Sequence, residues 1–283
     1  MKYGVATFVT DISVSPAELA RMAEERGFES MGVAEHTHIP SSRLTPFPGG
    51  GDLPEQYWRA YDPFVALTAA AMVTTSLRLW TTICLIIEHD PIVLAKQVAS
   101  LDTVSQGRFV FGIGGGWNAE EMANHGTAFR KRWRIMRDRV LAMKQIWTQD
   151  EAEYHGRYVD FDKLRSYPKP VQKPHPPVIM GGEGPTTFDR IIEYCDGWVP
   201  GGTVLDLDAK PSLADKIATL RERAAEAGRD PNSISVTVFG GRQDPAWLER
   251  AEASGAERVM FTIPSARRDV VEPVLDRIAK LIS

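Results

Sequence analysis

The sequence predicts an α/β chain closing as a (β/α)8 TIM barrel with insertion loops. Strand-like and helix-like segments alternate through about eight units over 283 residues, a length common for one such barrel. The strand segments are unbroken apolar runs, as expected where both faces of a parallel sheet are covered. No linker or low-complexity tract divides the chain, so residues 1–283 read as a single domain.

Each element carries its own signal. YGVATFV (3–9) is a short buried strand. SPAELARMAEERG (15–27) opens with a serine cap and Pro16, holds apolar residues at helical spacing and closes on Gly27. FESMGVAEH (28–36) is the second strand, and 37–61 a long polar loop with proline, glycine and aromatic residues. Asp62-Pro63 starts a helix over 62–76; Asp90-Pro91 starts another over 90–107, ending on Gly107. Between them LRLWTTICLII (77–87) is strand three. RFVFGIG (108–114) is strand four, followed by helices near 117–125 and 131–148. Residues 149–176 show little periodicity, with EYHGRYVDF as a small hairpin. PPVIMGG (176–182) is strand five, 185–195 a helix, and DGWVPGG (196–202) a short strand and glycine loop. The remainder reads as helix 213–228, strand 233–241, helix 245–255, strand 256–264 and a closing helix 268–282.

Bulk properties exclude several function classes. A net charge of −4 gives nothing to attract nucleic acid or an anionic membrane. Two cysteines, Cys84 and Cys195, are too few for a secreted disulfide scaffold and read as small buried hydrophobes in a reducing compartment. The opening MKYGVATFVT runs into a strand rather than a signal peptide, and no stretch reaches roughly 18 apolar residues, so a cytoplasmic location is expected. No HxH or HExxH spacing occurs and no metal-ligand cluster surrounds either cysteine, so no metal is expected.

Candidate chemistry gathers at the predicted carboxyl ends of the strands, where barrel enzymes build their sites. GRFVFGIGGGWNAEE (107–121) ends strand four in Gly114, Gly115 and Gly116. A GxGxxG dinucleotide fingerprint fails in both registers, because it needs glycine where Trp117 or Ala119 stands. Three residues without side chains suit a flat ring lying against the backbone; they suit equally a tight turn that needs positive φ. Strand two ends in Glu35-His36, which fits either a proton-transfer group or a satisfied polar residue. Strand five ends in GGEGPTT (181–187) before a helix, where backbone donors and threonine hydroxyls fit an anion or a capped turn.

Over nearly its whole length the chain resembles the bacterial luciferase-like flavin and deazaflavin oxidoreductases. AEERGFESMGVAEH (23–36), LAKQVASLDTVSQGRFVFGIGGGWNAEE (94–121), YPKPVQKPHPPVIMGG (167–182) and YCDGWVPGG (194–202) carry the resemblance, in that order. The short length, the GGGW loop and the KPVQKPHPPVIMGG segment favour the branch that uses coenzyme F420; FMN uses nearly the same framework. The resemblance implies a cofactor ring across the barrel mouth. His36 matches the strand-two histidine near the reactive face, with Glu35 tuning it. Thr82 and Ile83 match a strand-three bulge that often holds a non-proline cis peptide. Gly114, Gly115 and Gly116 match the loop beside the cofactor, with Asn118 close by. Gly181, Gly182, Glu183 and Thr186 match the loop that holds its phosphate-bearing tail. Two departures stand out: Trp117 takes the place of a glutamate, and Pro40 that of a tryptophan, found in some F420 dehydrogenases. The acid–base chemistry of the sugar-phosphate dehydrogenases therefore does not carry over.

These readings converge on an F420-dependent oxidoreductase that moves a hydride between the deazaflavin and a small organic substrate. The alternatives are an FMN-dependent monooxygenase and a cofactor-binding protein with little turnover. The resemblance implies a homodimer paired through helices near strands two to four, and the 62–76 helix, rich in alanine, valine and methionine, fits a helix buried on several sides.

Overall fold

The computed structural model describes residues 1–201, 207 and 209–282; Gly202, the end of the expected glycine loop, lies outside them. The first half of the chain runs β1 (Lys2–Thr7), α1 (Pro16–Glu25), β2 (Ser30–Val33), α2 (Gln56–Arg59), α3 (Pro63–Ala71), β3 (Arg78–Thr81), α4 (Pro91–Val104), β4 (Phe109–Ile113), α5 (Ala119–Asn124) and α6 (Arg132–Thr148). A hairpin of β5 (Ala152–His155) and β6 (Asp160–Leu164) follows, then β7 (Val178–Gly181), α7 (Thr187–Tyr194), β8 (Gly197–Val199), α8 (Leu213–Glu226), β9 (Ser235–Phe239), α9 (Pro245–Ala253), β10 (Arg258–Thr262) and α10 (Arg268–Ile282). Eight of these strands close a barrel in the order β1-β2-β3-β4-β7-β8-β9-β10. Every neighbouring pair in it is parallel.

The unbroken apolar strands divide by parity. Trp80, Val110, Ile179 and Val199 form a cluster of their own. Their chain neighbours Leu79, Phe109, Phe111, Val178 and Met180 belong to the larger cluster that the helices cover. Successive strand residues point to opposite faces, so one run fills the barrel and the layer around it. The helix starts follow the sequence signals. Ser15, Asp62, Asp90 and Asp244 each stand before a proline, and each side chain accepts a backbone N–H of its first turn. Such caps are worth about 1 kcal/mol each. Gly27 and Gly107 close their helices at φ of 78° and 80°, a conformation that side chains disfavour.

Two expectations are corrected. Strand three is shorter than 77–87: the ladder ends at Thr81, and a 3-10 turn follows at Ile86–Glu88. The run stays apolar there because Leu85, Ile86 and Ile87 are buried without being strand. The 37–61 loop is not wholly irregular, since it holds the short helix α2. The expected hairpin is present, with Tyr154 opposite Phe161.

Candidate active site

The barrel mouth is built from the ends of β2, β3 and β4 and from α5. Thr82 N–H donates to Val33 O at 2.7 Å, and Cys84 N–H to Gly112 O at 2.8 Å. The Thr82–Ile83 peptide between them is cis. The bulge fits because glycines face it: a Cβ on Gly32 would stand 2.3 Å from Thr82 Cγ2, and one on Gly114 1.8 Å from Ile83 Cδ1.

The three glycines of strand four answer to the protein's own packing. Besides the Gly114 contact, a Cβ on Gly115 would meet the Trp133 ring at 2.8 Å, and one on Gly116 would meet Met122 Cε at 2.8 Å. Gly116 also has φ +62°, so the turn reading applies to it directly. Asn118 is buried and caps α5, accepting the Glu121 N–H at 3.4 Å.

Glu35 and His36 part company. Side chains that are neighbours on an extended segment diverge, and these two find different partners. Glu35 accepts the Leu85 N–H at 2.5 Å and binds His89 Nε2 at 2.7 Å. The Cys84 thiol also faces it, and burial together with the Glu35 charge keeps that thiol protonated. Glu35, Cys84 and His89 thus form a group whose ligand-type atoms lie within 4.8 Å, which spacing in the sequence did not reveal. Hydrogen bonds within the group account for these atoms. Burial opposes charge on His89, but the bond and charge of Glu35 outweigh it and raise its pKa.

His36 is held instead by Glu121, with Nδ1 and Oε2 2.7 Å apart and both side chains buried. The expected tuning of His36 by Glu35 is therefore corrected: the carboxylate beside His36 comes from the third residue of α5, 85 positions away. Aromatic rings surround the imidazole, with centroids at 5.2 Å for Tyr57, 5.8 Å for Trp117 and 6.4 Å for Phe8. Burial raises the Tyr57 phenol. A cavity of 220 Å³ shares Phe8 and Tyr57 with this cluster; Thr7, Ala34, Thr82 and Ile263 also line it, and neither His36 nor any charged side chain does. The preceding residue of α5, Glu120, binds the loop above: it accepts the backbone N–H of Leu44 at 2.6 Å and of Thr45 at 3.1 Å. Burial alone would raise its pKa, but the bonds from Thr45 and Leu44 bring it down to about 2.

The strand-five loop is the open cradle. A Cβ on Gly182 or Gly184 would have no neighbour nearer than Thr187 Oγ1, at 3.7 and 3.6 Å, and Gly182 has φ +142°. Gly181 is equally open, with nothing nearer than 3.9 Å. A cleft of 290 Å³ runs alongside, lined by Glu183, Gly184, Thr187, Phe188, Lys216 and Arg223 among others. Lys216 Nζ pairs with Glu183 at 2.8 Å, and Arg223 pairs with Asp189. Thr187, not Thr186, lines the cleft; Thr186 occupies the cap position of α7 without capping it.

Among the described residues the structure thus brings together His36, Glu121, Tyr57 and Trp117 at one position and Gly181, Gly182, Glu183 and Thr187 at another. Both lie at the carboxyl ends of barrel strands. The sequence profile of the luciferase-like monooxygenases matches residues 15–243. The chain belongs to that family. This luciferase-like chain is 39% identical over 285 residues to an uncharacterized protein of Mycobacterium tuberculosis, covering 99% of this chain and 98% of the relative. An FMNH(2)-dependent dimethylsulfone monooxygenase of Pseudomonas putida is 28% identical over 62% of this chain and 47% of its own length. An F420-dependent hydroxymycolic acid dehydrogenase of M. tuberculosis is 26% identical over 76% of this chain and 55% of its own length. The crystal structure of monooxygenase RslO1 from Streptomyces bottropensis superposes with a TM-score of 0.79 at 18% identity, covering 100% and 98% of the two chains. Luciferase-like members are oxidoreductases or monooxygenases, and the two named relatives depend on FMNH(2) and on F420 respectively. Among the described residues no helix is long and apolar enough to cross a membrane.

Proposed function

We propose that this chain is an F420-dependent oxidoreductase acting on a small, uncharged organic substrate. The observation that carries the reading is the buried His36–Glu121 pair, which shares Phe8 and Tyr57 with an uncharged cavity at the barrel mouth. When bound, F420 supplies a ring carbon that carries hydride; a hydride moved to or from a carbonyl group leaves a proton to be handled. Glu121 fixes Nδ1 of His36 and leaves Nε2 for that proton. The rings of Phe8, Tyr57 and Trp117 exclude water around it.

The residues at the end of β7 fit such a cofactor. Gly181, Gly182 and Gly184 leave a cradle that any side chain would fill, at the start of α7. Backbone donors there, with Thr187 and the cations of Lys216 and Arg223 nearby, suit a phosphate-bearing tail. Glu35 serves in this reading as a brace for the 84–89 turn through Leu85 and His89. An FMN-dependent monooxygenase is the second reading; its support is the FMNH(2)-dependent relative and the same water-excluding aromatic enclosure. A cofactor-binding protein with little turnover is the third, motivated by Trp117 standing where some dehydrogenases have an acid.

Parallel titrations with F420 and FMN test the assignment. Binding of F420 in the micromolar range or tighter, with FMN much weaker and no oxygen uptake, is expected. Equal or tighter FMN binding would overturn it. The chain is further proposed to form a homodimer through α3 and α4, where Val65, Met72 and Val93 are 69%, 70% and 58% exposed beside a 680 Å³ groove.

A further inference from the structure

A second buried carboxyl group feels the charge of Glu121, and the mechanism above does not use it. Glu88 is in the 3-10 turn after strand three, with its side chain 1% exposed. Neither of its oxygens has a hydrogen-bond partner, and Oε1 of Glu121 has none either. The other titratable groups around Glu88 are identifiable. Glu121 and Glu35 bring negative charge toward it, and Arg139 of α6 brings positive charge. Arg139 spends an N–H on Ile86 O at 2.7 Å and makes no bond to Glu88. His125, at the end of α5, places Nε2 3.7 Å from Glu88 Oε2 but is bound to the Thr37 hydroxyl at 2.8 Å. Cys84 is a buried thiol, and His89, next in the chain, is turned to Glu35. An ionised carboxylate buried without a donor is costly, and two carboxylates in one enclosed space oppose each other's charge.

We propose that Glu88 is held as an uncharged acid near Glu121 and that its ionisation disables the Glu121–His36 pair in alkaline solution. The second clause rests on the reading of His36 as the proton-transfer group. The step is a single deprotonation: Glu88 gives its carboxyl proton to hydroxide, and water forms. The new negative charge then repels the Glu121 carboxylate and turns it away from His36. His36 thereby loses the carboxylate that fixes it, whereas uncharged Glu88 leaves the pair undisturbed. Burial, then the charges of Glu121 and Glu35, push the Glu88 carboxyl up to about 9, so the change falls within a measurable range.

The test uses wild type with Glu88→Gln and Glu88→Met, two uncharged replacements of similar size. On protein without cofactor, difference infrared spectra should show a protonated carboxylic acid at neutral pH in wild type that both variants lack, and it should vanish in wild type as the pH rises through about 9. No such band, or only a carboxylate difference, would overturn the proposal. Should neither variant fold, the wild-type titration alone decides, because a buried acid that loses its proton near that pH is required. At saturating cofactor, wild-type turnover should fall about tenfold between about pH 8 and 10, while the variants keep most of their rate. An identical alkaline fall in all three proteins would refute the link to the pair. Absence of turnover with either cofactor would refute the functional reading and leave the infrared comparison to decide the charge on Glu88.

Discussion

Replacing Glu121 by glutamine isolates what the carboxylate gives to His36. The substitution keeps the shape of a side chain that is 1% exposed, and it removes the negative charge from a 2.7 Å contact with Nδ1. A hydrogen bond to a charged group contributes about 1.5–3 kcal/mol. If that bond is felt mainly when His36 carries positive charge, turnover should fall by about 10- to 150-fold. Cofactor affinity should change little, because the glycine cradle at 181–184 is held by β7, β8 and α7 rather than by α5. His36→Ala should lower turnover by about 10²–10⁴-fold, again with binding largely kept. Pre-steady-state hydride transfer at saturating F420, with a parallel binding titration, measures both quantities. Turnover of Glu121→Gln within twofold of wild type would refute the role assigned to the pair, as would a loss of binding with normal turnover at saturation.

Three further outcomes are expected. Gly182→Val should weaken cofactor binding by titration while the loaded enzyme retains its chemistry, since the residue sits at φ +142° in the open cradle; unchanged affinity would count against the tail site. Val65→Asp should convert dimer to monomer in light scattering, because it sets a charge on the exposed α3 face, and a wild-type monomer would remove the dimer proposal altogether. Glu24→Gln should lower stability in denaturant melts at neutral pH. Burial alone would raise the Glu24 carboxyl, but bonds from Ser76, Leu77 and Thr75 bring it down to about 2 from 4.5. A depressed carboxylate pKa stabilises above 4.5 and ceases to do so as the pH falls toward about 2. Because the group is partly solvated, the difference from wild type should be about 1–2 kcal/mol at pH 7. It should close across that acidic window; a difference independent of pH would refute the charge argument.

The barrel was legible because its signals are local. Caps such as Asp90-Pro91 and closing glycines such as Gly107 act within one turn, and the unbroken apolar runs record burial on both faces. His36 was legible for a similar reason, as a polar residue ending a buried strand. Its partner was not. Glu35 stands next to it in sequence, yet divergence along the extended chain sends the two side chains to different neighbours. Glu121 reaches His36 from the first turn of α5, which Asn118 caps, a relation across 85 residues that no local pattern encodes. The glycines at 114–116 illustrate another limit. Their presence signalled a close approach, but the approaching groups are Ile83, Trp133 and Met122 of the same chain. The emptier glycines at 181–184 looked no different in sequence.

The placement of Glu120 beside Glu121 has a mechanical consequence. One residue clasps the backbone of Leu44 and Thr45 over the mouth, and the next clasps His36 beneath it. Both belong to a helix of six residues, too short to bend between them. A displacement of the 44–45 segment would pull on the same short helix that holds the imidazole. The same short element thus anchors an exposed loop at one residue and a buried imidazole at the next, which ties the position of one to that of the other.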